Sequence, residues 1–308
     1  MQRRYRIGTR GSKLALIQAN EVARRIAQVQ HLSVEHAAEI VVISTEGDRV
    51  QDRALSEIGG KGLFTQEIEE QLADARIDIA VHSMKDMPTA LPEGLTIDCL
   101  LERADPRDAF LSPKAATLAA LPKGAVIGTS SLRRSAQIRA LRPDIRVVPF
   151  RGNVDTRLAK LADGVADATL LAMAGLIRMG FQDKVTSPLS PDHMLPAVAQ
   201  GAIGIERRSG DDEAAHLLAK IHHQETGLRV AAERALLAVL DGSCRTPIAA
   251  LAEIAGERLT LRAMILTPDG SEVLETSREG LASDGVALGR DAGLELKSRA
   301  GPHFFDGI

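Results

Sequence analysis

From residue 5 to residue 171 the chain alternates short apolar runs with longer amphipathic stretches. The simplest arrangement that buries such a series is a mainly parallel sheet with helices on both faces. The spacing predicts a strand ending at Ile7-Gly8-Thr9, a helix from Leu14 to about Val29, a strand from Glu39 to Ser44, a helix from about Leu63 to Asp74, and a strand from Asp78 to Val81. After Asp105-Pro106-Arg107-Asp108 the series resumes, with strands at 125–128, 146–149 and 168–171 and helices at 132–141 and 154–161, which reads as a second α/β domain. From Thr226 the period changes. A helix stops at Asp241-Gly242 with a glycine end signal, strands follow at 248–254, 259–265 and 272–276, and a last helix spans about 286–299. This part reads as an α+β module with an antiparallel sheet.

The 308 residues suffice for two or three domains, and 44% hydrophobic content can fill their cores. Aromatic residues are 2% with no Trp, which argues against base-stacking platforms for nucleic acid, and a net charge of −3 gives no general basic field. Anion binding must then be local. The N-terminal segment lacks an apolar core of signal-peptide length, and the longest apolar run, 168–177, is too short to cross a bilayer, so a cytoplasmic location is expected. Cys99 and Cys244 form neither a disulfide framework nor a metal-ligand pattern. Cys99 reads as a strand residue facing a core. His216, His222 and His223 read as a solvated helix face, and no metal is expected. Gly8-Thr9-Arg10-Gly11-Ser12-Lys13 has neither dinucleotide-loop nor P-loop spacing, so no nucleotide is expected. The charged stretch from Glu46 to Gly60 lacks a period and suits a mobile flap.

Two features carry chemistry. In RIDIAVHSMKDMPTALP (76–92) an apolar run stops at His82, Ser83, Lys85 and Asp86. Strand ends are where α/β sheets bind ligands, so Asp86 is the candidate reaction-centre carboxylate. Basic residues also recur at strand-to-helix junctions: Arg10 with Ser12, Lys61, then Arg133 and Arg134 after Ser131, and Arg151 and Arg157 around Asn153. Cations in a first helical turn oppose the helix dipole unless an anion lies there, and a ligand with several carboxylates would supply one.

Gly59-Gly60-Lys61-Gly62-Leu63-Phe64, Gly128-Thr129-Ser130-Ser131-Leu132-Arg133-Arg134, Arg151-Gly152-Asn153 and Gly242-Ser243-Cys244 follow in that order. With the Asp86 segment they resemble the porphobilinogen deaminase (hydroxymethylbilane synthase) family from Ile7 to about Pro247. The resemblance implies two α/β domains like type II solute-binding proteins flanking a cleft, and a small C-terminal α+β domain with an antiparallel sheet. Their expected extents are 1–101 with 202–220, then 102–201, then 221–308. It implies a transferase that joins four porphobilinogen molecules head to tail, with loss of ammonia, on a dipyrromethane primer. Asp86 matches the catalytic aspartate, and Cys244 the thioether attachment point of that cofactor. Arg10, Ser12, Lys61, Ser83, Lys85, Thr129, Ser131, Arg133, Arg134, Arg151, Asn153, Arg157 and Arg178 match cofactor or substrate contacts. Asp86 is expected to be a buried carboxylate, and the protein a monomer that uses no metal. Glu46 and Glu57 stand where a basic residue would be expected, which weakens the case for direct flap contacts. Two other classes compete. A non-catalytic anion receptor explains the arginines but not Cys244, and a thiol acyl-transfer enzyme lacks an identifiable His partner for that cysteine.

Overall fold

The computed structural model of the chain describes residues 3–49, 65–241 and 246–306, with residues 48 and 49 by backbone alone. In chain order they form β1 (Tyr5–Arg10), α1 (Lys13–Gln30), α2 (Val34–Ala37), β2 (Ala38–Ile43), α3 (Glu46–Arg49), α4 (Gln66–Ala73), β3 (Ile79–Ser83), β4 (Leu95–Leu100), β5 (Asp108–Leu111), β6 (Val126–Gly128), α5 (Leu132–Leu141), β7 (Arg146–Val148), α6 (Val154–Ala162), β8 (Ala168–Ala172) and α7 (Met173–Arg178). Then come β9 (Ser187–Pro188), β10 (Ile203–Arg208), α8 (Asp212–Ala219), α9 (Gln224–Val239), β11 (Ile248–Ala255), β12 (Arg258–Leu266), β13 (Val273–Leu281) and α10 (Gly285–Ala300). Two compact units result. Among the described residues the first takes in 3–49, 65–104 and 202–227, and the second 105–201, 228–241 and 246–306.

The sheet of the first unit has the order β2-β1-β3-β10-β4. β1 pairs parallel with β2 and β3, whereas β10 runs antiparallel to both β3 and β4. The second unit repeats the plan as β7-β6-β8-β5-β9, with β5 antiparallel to β8 and β9. Each of these two sheets is therefore mainly parallel, as the alternation predicts, with one reversed strand that it does not single out. Both reversed strands escape a hydropathy reading for one reason. β5 begins with Asp108 and β10 contains Glu206 and Arg207, all buried, and their burial rests on partners distant in sequence.

α1 shows how sequence fixes an element here. Ser12 caps its start by accepting from the Ala15 N–H, and His31, at φ 54°, ends it in the left-handed conformation. Its face of Ala19, Val22, Ala23, Ile26 and Ala27 recurs at three- and four-residue intervals and packs on Ile7, Ile79 and Val81 of the sheet. Behind the other face, α4 contributes Ile68 and Leu72 to a cluster with Ile43, Ile77 and Ala80. The C-terminal part forms the antiparallel sheet β11-β12-β13. There α10 lies close on α9 because Gly285, Gly289 and Gly293 line up at four-residue intervals. A Cβ on Gly289 would fall 2.1 Å from the Ala232 carbonyl oxygen, too near for any side chain.

Candidate active site

β3 delivers its polar end to a small cavity of about 70 Å3 in the first unit. Arg10 from the end of β1, Ser12 and Gln18 from the start of α1, and His82, Ser83 and Asp86 from β3 and the 3-10 turn after it line this cavity. The parallel pairing of β1 with β3 brings both strand ends to the same edge. The Ser83 hydroxyl lies 3.0 Å from Gln18 Nε2 and 3.1 Å from its Oε1, which ties the strand end to α1. Gln18 is buried on the otherwise apolar face of α1. A polar side chain at a core position of an amphipathic helix is the signal that could have picked it out, and the sequence reading missed it. Asp86 is exposed, not buried as expected, because the 3-10 turn Met84–Asp86 buries Met84 and turns the carboxylate outward. Lys85, in the same turn, is half-buried.

In the second unit, Thr129 and Ser131 precede α5, and Ser131 caps the helix by accepting from the Arg134 N–H. Arg133 and Arg134, expected as ligand contacts at this junction, turn inward. Arg133 donates to Asp108 Oδ2 at 2.8 Å and to the Leu195 carbonyl at 2.7 Å. Arg134 donates to Asp108 Oδ1 at 2.7 Å and to the Leu170 carbonyl at 2.9 Å, and Gln200 Nε2 adds a bond to Oδ1 at 2.8 Å. The anion that offsets the cations in this first turn is thus an aspartate of the chain itself. Complete burial works against ionisation of Asp108, yet the two guanidiniums hold its carboxyl well below the usual range, while burial lowers the pKa of Arg133. Two cations share one carboxylate. The Nε atoms of Arg133 and Arg134 are buried without a hydrogen-bond partner.

At the start of α6, Asn153 is the capping residue, accepting from the Thr156 N–H, and Arg157 Nε donates to the Gly152 carbonyl at 2.9 Å. Arg151 is half-buried in the preceding turn, and Arg178, at the end of α7, donates to the Gly201 carbonyl at 2.9 Å. Lys61 and Cys244 lie outside the described residues, as do Glu57 and the part of the expected flap from 50 to 60. Its first residues form the short helix α3.

Other groups fall away from this chemistry. Cys99 is a core residue of β4 whose thiol burial pushes up to about 12. His216 is exposed as expected, but His222 and His223 are half-buried: His222 Nδ1 accepts from the Leu100 N–H, and His223 pairs with Thr226. They fasten β4 to the start of α9 and do not form a solvated face. Among the described residues no group of three His, Cys, Asp or Glu side chains is placed to hold a metal ion. A larger open cleft of about 660 Å3 is bordered by Arg3 and Arg208, both already paired with Asp211, and Arg3 also pairs with Asp78.

Comparison with known proteins places this geometry. Residues 5–216 match the porphobilinogen deaminase dipyrromethane cofactor binding domain, and residues 227–298 the C-terminal domain of the same family. The porphobilinogen deaminase of Paracoccus denitrificans is 60% identical over 305 residues, which cover 99% of this chain and 97% of that protein. That of Nitrobacter hamburgensis is 53% identical over 299 residues, 97% of this chain and 94% of the relative. Among solved structures, a periplasmic binding protein from Salmonella typhimurium is 13% identical with a TM-score of 0.39, covering 71% of this chain and 91% of the other. Matched over nearly its whole length by family models and relatives alike, the chain belongs to the porphobilinogen deaminase family.

Proposed function

We propose that the pocket at the end of β3 is the reaction centre of this deaminase, with Asp86 as its catalytic carboxylate and Cys244 as the point where the dipyrromethane cofactor is attached. The family reaction joins four porphobilinogen molecules head to tail and releases one ammonia for each addition. The observation that carries the assignment is the meeting of Asp86, Arg10, Ser12 and Ser83 around one cavity from elements far apart in sequence. A carboxylate there can accept the pyrrole N–H, offset the cation left on the substrate methylene as ammonia departs, and take the proton from the ring carbon that forms the new bond. Its exposure leaves it open to an incoming ring.

The residues fit a ligand rich in carboxylates. Arg10, Ser12 and Gln18 offer a cation, a hydroxyl and an amide, and a guanidinium can hold a carboxylate through two parallel bonds. In the second unit Arg133 and Arg134 outnumber Asp108 by one charge, and their unpartnered Nε groups favour a further anion nearby. The cofactor, when bound, supplies the nucleophilic pyrrole carbon on which the chain grows. Arg10, Ser12, Ser83, Thr129, Ser131, Arg133, Arg134, Arg151 and Arg157 would hold its carboxylates and those of the product, with Lys61, Lys85, Asn153 and Arg178 adding to the set. The proposed division into 1–101 with 202–220, 102–201 and 221–308 is supported by the three sheets, whose strands fall in 5–100 with 203–208, in 108–188 and in 248–281. We also propose a cytoplasmic monomer.

The test is the mass of the denatured protein. It should exceed the sequence mass by one dipyrromethane, and limiting porphobilinogen should add a ladder of single pyrrole units. Cys244→Ser should lose both, since a hydroxyl is a far weaker nucleophile than a thiolate, while Cys99→Ser keeps them. An adduct mapped to Cys99, or an active protein of unmodified mass, refutes the assignment.

A further inference from the structure

One group of buried titratable side chains beside the pocket takes no part in the chemistry above. His82, in β3, is bound through Nε2 to Glu206 Oε2 of β10 at 2.9 Å, and both side chains are almost wholly buried. Glu69, in the first turn of α4, is also buried and acts electrostatically on this pair. Glu69 Oε1 and Glu206 Oε1 are both sealed from solvent without a hydrogen-bond partner. Two ionised carboxylates beside one imidazole would bury excess negative charge at a cost of several kcal/mol, which a proton on Glu69 reduces.

The cluster joins the two elements that border the cavity, since Thr65, which precedes α4, and His82, in β3, both line it. We propose that Glu69, as a neutral carboxylic acid buried near the His82–Glu206 pair, is a positioning residue that holds the start of α4 against the end of β3 and so sets the width of the pocket beside Asp86. Burial and the charge of Glu206 both push the Glu69 carboxyl upward, in keeping with that role. The charged and titratable groups acting on it are Glu206 from β10 and His82 from β3. When Glu69 ionises, its repulsion from Glu206 moves α4 away from β3 and turnover falls. The inference rests on the assignment of this pocket as the reaction centre.

The experiment is the pH profile of kcat in cofactor-loaded enzyme, wild type against Glu69→Gln. The wild type should lose turnover on the alkaline side. Glu69→Gln should keep kcat within about threefold at neutral pH and move that alkaline limb up by about one pH unit or more, or abolish it. Should the amide fold poorly, Glu69→Leu gives the same neutral charge at similar volume. Superimposed profiles, a wild type without an alkaline limb below about pH 10, or a variant with raised Tm but an unmoved limb all overturn the proposal. Asp86→Asn assayed alongside separates the two readings: if it keeps full turnover the pocket assignment fails, whatever Glu69 does.

Discussion

At the scale of single residues, the same side-chain type plays opposite parts depending on what the fold places beside it. Asp86 stands exposed beside Arg10 and Ser12, while Asp108 is fully buried between two guanidiniums. Asp86→Asn is expected to lower kcat by about a hundredfold or more while the cofactor mass is retained, because an amide neither offsets a cation nor takes a proton. A kcat near that of wild type would remove Asp86 from the chemistry. Arg134→Met takes a guanidinium from Asp108 and should cost about 3 kcal/mol in denaturant unfolding, together with reduced cofactor loading. Loss of the cofactor at full stability would instead make Arg134 a ligand contact with little structural weight.

Among the elements, the sequence made the helices and the regular strands legible through their period. α5 spans the predicted 132–141, and α1, α6, β11 and β12 lie within one or two residues of the expected limits. β5 and β10 were not legible, because each carries buried charge that only a distant partner makes tolerable. The close approach of α10 to α9 was equally hidden, since a glycine in a helix looks merely unfavourable until a neighbouring backbone is seen against it. Gly289→Ala should destabilise the protein by about 3 kcal/mol or more, and Gly293→Ala, whose Cβ would meet Val239 and the Leu236 carbonyl, should act in the same direction. Thermal unfolding of Gly289→Ala within a degree or so of the wild type would contradict this packing.

For the whole molecule, buried ion pairs make stability depend on pH. Burial alone would raise Asp78, but hydrogen bonds from Arg6 and Arg3 hold its carboxyl down to about 2. A carboxyl depressed in the folded state adds stability that is complete above its unfolded pKa and is lost as pH falls through the folded value. Asp78 and Asp108, both depressed, should therefore drive acid unfolding as pH drops from about 4 towards 2. Asp78→Asn is expected to lower stability at pH 7 by about 2 kcal/mol, with the gap to wild type closing in acid. Urea titrations at pH 7 and near pH 3 check both parts, and a gap that stays constant across this range would show that the loss has another origin. Glu69 has the opposite sign. Its raised carboxyl costs stability as pH climbs above its unfolded value, so Glu69→Gln should gain in Tm relative to wild type at alkaline pH and lose that advantage in acid.

By itself the sequence determined the α/β series, the antiparallel C-terminal sheet, the polar end of β3 and the ordered motifs that carry the family, because all of these are written in local period and in residue type at fixed spacing. The tertiary structure alone decided which strands reverse, that Arg133 and Arg134 turn inward to Asp108, that Asp86 faces solvent, and that His82 and Glu206 pair beside the pocket. The physical reason is common to them. The cost or benefit of a buried charge depends on partners brought together by the fold from distant positions, 124 apart for His82 and Glu206, and no local pattern records such a meeting.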